Sequence, residues 1–574
     1  MIALPQTPLD RWLPKLLLCL RQYNLKFFIA DLIAGLTVGL VALPLAMAFG
    51  IASGVTPQAG IYTAIVAGFL ISALGGSRTQ IGGPTGAFVV IVAGIIARFG
   101  LSGLFMVTMM AGVILIVMGA AGFGTAVRFI PRPVTIGFTN GIAVLIASTQ
   151  IRDFLGLRTT AIPSEFIGRI HVLLTHLSTI DPITALVGGC SLAAIVLWPI
   201  ITKRIPGSII ALLGGTAAVV LLKLPLETIG SKFGGIPSGF PVFQIPTFRA
   251  DLILPLLPSA LTVAVLAAVE SLLSAVVADG MSGDKHNSNV ELIAQGVANV
   301  VTPLIGGIPA TGAIARTATN IRSGAKTPVA GMIHALTLLA ILFVAAPLAK
   351  FIPLATLAAV LFVVAYNMGE WREIGTILKL SRADIAVWAA TFALTVLADL
   401  TVAVEVGMAL AALLYIYRIS QTTTVVRVTP EYIESGRPHI LQDKDVPGYV
   451  TILRIHGPFL FGTTDKLAEE TEDLKKFAAV VVLRVRNMTA IDATGLHALE
   501  VFSDRLRKTG RTLLICGARE QPARMLKQAQ FVRHVGRENI LPHVQAALNR
   551  AREVNISFEG LGKEIAADLS HAAL

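Results

Sequence analysis

Ile81-Gly82-Gly83-Pro84-Thr85-Gly86-Ala87 is a Gly/Pro break that opens a short apolar run. The stretch Ile305-Gly306-Gly307-Ile308-Pro309-Ala310-Thr311-Gly312-Ala313 repeats it later in the same hydrophobic region. Both continue Thr-Gly-Ala into an apolar helix. Broken helices at matching places in two halves of a hydrophobic chain point to the substrate site of an inverted-repeat transporter. Non-helical backbone survives at membrane depth only beside a cavity or inside protein. A helix start presents unpaired N–H donors and a partial positive charge, so two starts that meet form a site for an anion. The competing reading is that the glycines only let helices pack closely. It suits a single break better than two matched ones.

The composition around these breaks agrees with a membrane setting. The chain has 574 residues, 54% hydrophobic and 14% charged, with a mean hydropathy of +0.76. Soluble domains carry about a quarter charged residues. An ordinary soluble enzyme, a disordered chain and a nucleic-acid-binding module are excluded. The net charge of +12 is spread along the chain. Residues 31–420 hold 21 Lys and Arg against 15 Asp and Glu, whereas residues 421–574 hold 21 against 18 in far fewer positions. Charge density thus divides the chain. The expected plan is an N-terminal segment over 1–30, a membrane domain over 31–420, a linker over 421–440, a soluble domain over 441–555 and a tail over 556–574.

Runs such as Leu32–Ala52, Leu186–Ile201, Leu256–Ala278 and Leu336–Leu348 fit membrane helices, which need about 20 apolar residues. About fourteen spans are expected, several of them short, beginning near residues 31, 57, 84, 102, 133, 181, 206, 256, 289, 311, 328, 353, 382 and 400. The two breaks fall in the third and tenth spans. Seven spans per half, an odd number, force the second half to insert upside down. The short helices then enter from opposite sides and meet at their N-termini. No small-residue cleavage site follows the first basic segment, so no removable signal is expected.

Orientation follows from short loops. With the N-terminus inside, Arg78, Arg128, Arg132, Lys203, Arg204, Lys285, Arg322, Lys326, Arg372, Lys379 and Arg382 fall on the cytoplasmic side. The short outer loops near 53–56, 306–310 and 399 carry neither Lys nor Arg. Longer outer loops carry Arg152, Arg158 and Lys232, where the rule is weak. Both termini are expected in the cytoplasm. Cys19, Cys190 and Cys516 are far apart and suggest neither a disulfide framework nor a metal site.

Charges inside the spans call for an explanation. Arg316 lies one turn into the second short helix, where it would strengthen attraction for an anion; its alternative is to snorkel to the surface. Glu270, in the eighth span, is an intramembrane carboxylate and suggests ion or proton handling, or a pair with Arg316. Asp279 is expected at the interface, and Glu405 against another helix or the headgroups. Asn140 and Gln150 read as interhelical hydrogen-bond partners, and His334 as a satisfied packing residue.

Beyond Gly448 the pattern turns β/α. Strands are expected over Val450–His456, Val480–Val485 and Thr512–Cys516, and helices over Asp465–Phe477, Gly495–Thr509 and Glu520–Phe531. Asp492 and Thr494 read as caps of the helix they precede. Thr494 at a helix start would also accept a phosphate.

These residues resemble the SulP anion transporters, bacterial relatives of the animal solute-carrier family twenty-six. The stretches that carry the likeness are Leu43–Phe49, Gly83-Pro84-Thr85, Glu270-Ser271-Leu272-Leu273, Ala278–Gly283 and Ala315-Arg316-Thr317. Residues 440–555 resemble a STAS domain. The resemblance implies an α-helical polytopic membrane protein, with a 7+7 inverted repeat divided into core and gate domains, half-helices three and ten, and elevator-type alternating access. It further implies a homodimer. By motif it implicates Leu45, Ala46, Thr85, Gly86, Ala87, Thr311, Gly312, Ala313 and Arg316 in substrate binding, and it aligns Glu270 with the site. Thr494 stands where the anti-sigma antagonists carry a phosphorylated Ser. Many sulfate-moving members have Gln where this chain has Leu45. The stretch from Gly137-Phe138-Thr139 through Gln150–Leu157 is similar to the enterobacterial C4-dicarboxylate carrier, as are Asp279–Gly283 and Ala313–Arg316. The expected function is therefore secondary active transport of a C4-dicarboxylate, sulfate or bicarbonate across the bacterial inner membrane. Coupling through Glu270 to H⁺ is expected, with Na⁺ as the alternative. No enzyme activity, cofactor, metal or nucleic-acid partner is expected. A regulatory partner of the STAS domain is expected. An anion channel or exchanger is the competing function, and an anion-sensing scaffold is the third.

Overall fold

The computed structural model describes residues 12–125, 131–159, 163, 165–202, 206–236, 239, 243, 246–398, 400–428 and 446–557. The expectations placed on Arg128, Lys203, Arg204, residue 399, the 1–11 start, the 429–440 part of the linker and the 558–574 part of the tail lie outside these residues, as does the side chain of Glu405. The chain forms two compact units, Met1–Ala411 and Ala412–Leu574.

The first unit is helical. Its elements are α1 (Lys15–Leu20), α2 (Leu25–Ala52), α3 (Pro57–Leu74), α4 (Gly86–Ala120), α5 (Arg132–Leu155), α6 (Phe166–Thr175), α7 (Pro182–Ile201), α8 (Gly207–Leu222), α9 (Ile229–Phe233), α10 (Ile253–Ser282), α11 (Ser288–Val301), α12 (Ile314–Arg322), α13 (Val329–Ala349), α14 (Leu354–Met368), α15 (Trp371–Ile377) and α16 (Arg382–Leu397); α17 (Leu400–Thr422) runs on into the second unit. Two short strands interrupt the helices, β1 (Gly82–Gly83) and β2 (Thr311–Gly312). Most helices start within three residues of the expected span starts. Gly100, at φ 68°, bends α4 where the third and fourth spans were expected to part. Among the described residues, eight helices are long and apolar enough to cross a membrane. The shorter α8, α11, α12 and α16 reach 16, 14, 9 and 16 residues. They fall below the ~20 residues a full span needs, so the described helices give many apolar helices of unequal length and leave the expected count of fourteen spans untested.

Glycines set how closely these helices cross. A Cβ on Gly112 of α4 would lie 2.7 Å from Gly296 O of α11, and one on Gly296 would lie 2.6 Å from Gly112 O. The two backbones touch, and only glycine fits. Gly35 and Gly39 of α2 face Ile333 and Thr337 of α13 in the same way. Asp31, fully buried, adds a polar tie. It accepts from Lys326 N at 2.6 Å, Thr327 N at 3.1 Å and Thr327 Oγ1 at 2.5 Å, satisfying the turn before α13. Asn140 bridges helices as expected: its amide donates to Gly369 O and its oxygen accepts from Trp388 Nε1 at 3.0 Å. Gln150 does not. Its amide reaches only the neighbouring Thr149 Oγ1 at 2.7 Å, because that face of α5 offers a nearer hydroxyl.

The second unit is a five-stranded sheet: β3 (Thr424–Val428), β4 (Val450–Phe459), β5 (Val480–Ile491), β6 (Thr512–Cys516) and β7 (Ile540–Leu541), in that spatial order. β3 pairs antiparallel with β4, and the other pairs are parallel. Helices α18 (Asp465–Glu470), α19 (Ala493–Lys508), α20 (Glu520–Gln528) and α21 (Val532–Val535) accompany it, with a last helix over 544–557. The central strands are buried on both faces, which is why they read as unbroken apolar runs. Leu453, Leu483 and Ile515 pack with Leu499 and Phe502 of α19. Ile452, Val482 and Leu514 pack with Val544, Ala547 and Leu548.

Three expectations change here. The segment expected as a linker supplies β3. The helix expected to reach Phe477 ends at Glu470, with a 3-10 turn over Leu474–Lys476. The helix at Ala493 is capped by Asp492, whose carboxylate accepts from Gly495 N at 2.8 Å and Phe461 N at 3.0 Å. Thr494 takes no part in the cap; it sits exposed on the first turn.

Candidate functional site

The two Gly/Pro breaks meet. β1 and β2 pair antiparallel, with Gly82 opposite Gly312 and Gly83 opposite Thr311. Ala313 N donates to Ile81 O at 2.8 Å and extends the ladder. The ribbon draws the start of α4 at Gly86 and the start of α12 at Ile314 to one place. Neither start is capped by a side chain. The N-cap residues are Thr85 and Ala313, both extended. Alanine has no hydroxyl to offer, and Thr85 directs its own elsewhere.

Three bonds tie the ribbon to α10. Thr85 Oγ1 donates to Glu270 Oε2 at 2.7 Å. Gln80 Nε2 donates to Ser271 O at 3.1 Å. Thr311 Oγ1 donates to Ala267 O at 2.9 Å. Thr317 of α12 locks the opposite edge by accepting from Ile81 N at 3.0 Å and Ser274 Oγ at 3.0 Å. Behind β2, Asn299 of α11 brackets Ala310, accepting from its N at 2.9 Å and donating to its O at 2.8 Å. These buried polar groups are satisfied through the irregular backbone itself, which is how a broken helix is kept at this depth.

Arg316 is only 2% exposed, so it does not snorkel. Its Nη2 donates to Pro84 O, while Nη1 is buried with no partner. Gly83, at φ 145°, lies over that guanidinium: a Cβ there would stand 2.7 Å from Nη1. Glu270 accepts from Thr85 rather than pairing directly with Arg316.

The other expected residues are placed as follows. Gly86, Ala87, Thr311, Gly312 and Ala313 are buried at the joint. Leu45 is half-buried and packs among apolar neighbours of α7 and α14. Ala46 is fully buried, its carbonyl against Gly60 of α3. Phe49 of the same helix approaches the joint, its ring 3.4 Å from a Cβ built on Gly86. Ile146 of α5 and Met368 of α14 approach it too, at 2.9 and 3.3 Å. These three apolar walls carry no mark in the sequence that separates them from core.

His334 is fully buried beside Gly68, and neither ring nitrogen makes a hydrogen bond, so the expectation of a satisfied packing residue holds for its burial and not for its polar atoms. Asp279 ends α10 and accepts from His286 Nδ1 at 2.7 Å. Beside it, Asp284 pairs with Lys15 at 2.9 Å and Arg78 at 3.1 Å. Among the described residues, no group of three or more His, Cys, Asp or Glu converges as metal ligands would.

Comparison with known proteins follows the same lines. The sulfate permease family model matches residues 28–391, and the STAS domain model matches residues 442–547. A putative sulfate transporter of Bacillus subtilis, YvdB, is 42% identical over 91% of this chain and 98% of its own length. The bicarbonate transporter BicA of a Picosynechococcus species is 32% identical over 91% of this chain and 94% of its own. The solved transmembrane domain of a cyanobacterial BicA aligns at a TM-score of 0.61 and 32% identity, covering 68% of this chain and 98% of that one. The structure of SLC26A9 aligns at a TM-score of 0.85 and 19% identity, covering 96% and 94%, and shows a shared fold. The first three are named as transporters, in accord with a chain that is not an enzyme.

Proposed function

The chain belongs to the sulfate permease family with a C-terminal STAS domain, and on that premise we propose that it is a secondary carrier of a small oxyanion. The observation that carries this reading is the ribbon of Gly82–Gly83 with Thr311–Gly312, which brings two uncapped helix starts together beside buried Arg316. Each helix start favours an anion by about 0.3–2 kcal/mol, more where water is excluded. Arg316 adds a full charge and holds Pro84 O, so the cation also shapes the ribbon.

Sulfate and bicarbonate are the first substrates to test, because relatives bear those names. C4-dicarboxylates follow from the Leu45 position and the α5 sequence. Glu270 is the coupling group: its carboxylate bonds the threonine that opens α4, so a proton or Na⁺ taken there reaches the anion joint through Thr85. Alternating access of the elevator type moves the joint past the apolar wall of Ile146 and Met368. The termini face the cytoplasm of a bacterial inner membrane, the chain works as a homodimer, and the STAS domain regulates it through a cytoplasmic partner, with exposed Thr494 open to phosphorylation.

The test is uptake of labelled sulfate, bicarbonate and succinate into proteoliposomes under imposed H⁺ or Na⁺ gradients. A carrier gives saturable uptake driven by one of the two gradients. Ohmic current without saturation would replace the carrier with a channel. Glu270→Gln should leave exchange down the anion's own gradient and abolish the cation-driven component; a cation-driven component that persists removes Glu270 from coupling.

A further inference from the structure

Glu291, Gln295 and Asn299 of α11 follow one another at intervals of one helical turn, so they share one face. All three are buried, Glu291 at 1% exposure. This polar face holds both strands of the ribbon. At one end the Glu291 carboxylate accepts from Gly76 N at 2.9 Å and faces Ser77 N. Gly76 O accepts in turn from Asn287 N at 3.0 Å, so the turn that leads into β1 is pinned against the start of α11. At the other end Asn299 brackets Ala310, the residue before β2. Gln295 joins the two ends: its Nε2 donates to Glu291 Oε1 at 2.9 Å, and its O accepts from Asn299 Nδ2 at 2.8 Å.

A carboxylate is almost never this buried without a cation. Among the described residues, no Lys or Arg pairs with Glu291. Lys15 of α1 and Arg78 of the turn after α3 pair with Asp284. His286 acts on Glu291 electrostatically, but its ring is bonded to Asp279. α4 brings no charge to this side of α11, which it meets with Gly112, Ile116 and Gly119. Gln295 Oε1 is buried with no partner. A protonated Glu291 supplies one, because with the amide turned about the new O–H donates to Oε1. The pair thus has a bond to make in either protonation state. Water is close by, since Ser282, Gly283 and Lys285 of the α10–α11 turn are exposed.

We propose that Glu291 is a second proton-binding residue of the carrier and acts as a positioning residue for the ribbon. A proton from the water beside the α10–α11 turn adds to a Glu291 oxygen and leaves to the same water. While it is bound, the carboxyl is a weaker acceptor than the carboxylate. The hold on Gly76 N loosens, β1 loses its anchor, and the joint's affinity for the oxyanion falls. This rests on the carrier reading above and gives it a control separate from Glu270.

The test uses the purified full chain with Glu270→Gln, so that Glu270 contributes no titration, and labelled sulfate, whose charge stays constant near neutrality. Its Kd should rise about tenfold from about pH 8 to about pH 5, the size of one charge-assisted hydrogen bond. Adding Glu291→Gln should hold Kd at the weaker value throughout. Infrared difference spectra over the same range should show a buried-carboxyl C=O band that Glu291→Gln removes. Gln295→Met takes a donor from the carboxylate and should move the midpoint of both responses to higher pH. A band that survives Glu291→Gln, a Kd that ignores pH or keeps its pH response in the double variant, or a midpoint that Gln295→Met leaves in place overturns the proposal while the carrier reading stands. Absence of saturable binding of sulfate, bicarbonate and succinate by the wild-type chain removes the carrier reading, and the infrared band then decides the proton site alone.

Discussion

Gly83 is the residue on which the site turns. Its φ of 145° disfavours any side chain, and a Cβ would press on Arg316 Nη1. Gly83→Ala should therefore displace Arg316 and the ribbon together. Its expected signature is a loss of transport of at least about tenfold, with an α-helical content unchanged by circular dichroism. A variant with wild-type KM would show that the ribbon tolerates the displacement. In the second unit, burial on β6 pushes the Cys516 thiol up to about 11 from 9.0. At pH 8 the folded chain should thus react with a maleimide at Cys516 about 100-fold more slowly than an ordinary thiol, the thiolate being the nucleophile. The sign extends to stability. A raised folded pKa favours the thiol form, so its stabilisation holds below pH 9 and fades as pH rises toward 11. Labelling at pH 8 with and without denaturant checks it: equal rates would contradict the burial.

Among elements, the crossing of α4 with α11 is the tightest test of the packing. The two glycines there face each other's carbonyls, with the Val300 and Ile116 side chains equally close. Gly296→Val should push the helices apart and lower the thermal midpoint of the detergent-solubilised chain. Overpacking of this kind costs roughly 1–3 kcal/mol. An unchanged midpoint would mean the helices slide rather than separate. The break that opens α4 was legible from Gly82-Gly83-Pro84, because glycine and proline have local effects that any context preserves. The pairing of that break with β2 was not written in any local preference; two residues make no strand by propensity. It exists because α3, α10 and α11 hold both breaks in register. The strand Thr424–Val428 was likewise hidden: the segment was expected as a linker, and five residues become a strand here only by pairing with β4.

For the whole molecule, the two units have separate cores, Phe88 and Met47 in one and Leu483 and Phe459 in the other. Removing residues 423–574 should therefore leave saturable uptake with KM close to wild type, and should alter turnover and its response to cytoplasmic factors. A large rise in KM would place the second unit in permeation.

The sequence by itself determined the membrane class, the two-part plan, the matched breaks and the two charges, Glu270 and Arg316. Hydropathy, charge density and Gly/Pro punctuation are local quantities that a chain cannot conceal. Only the tertiary structure decided that Thr85 bonds Glu270, that Arg316 holds Pro84, and that Phe49, Ile146 and Met368 wall the joint. These are contacts between residues distant in the chain. They are set by close packing of whole helices, and one sequence carries no local signal for which faces will meet.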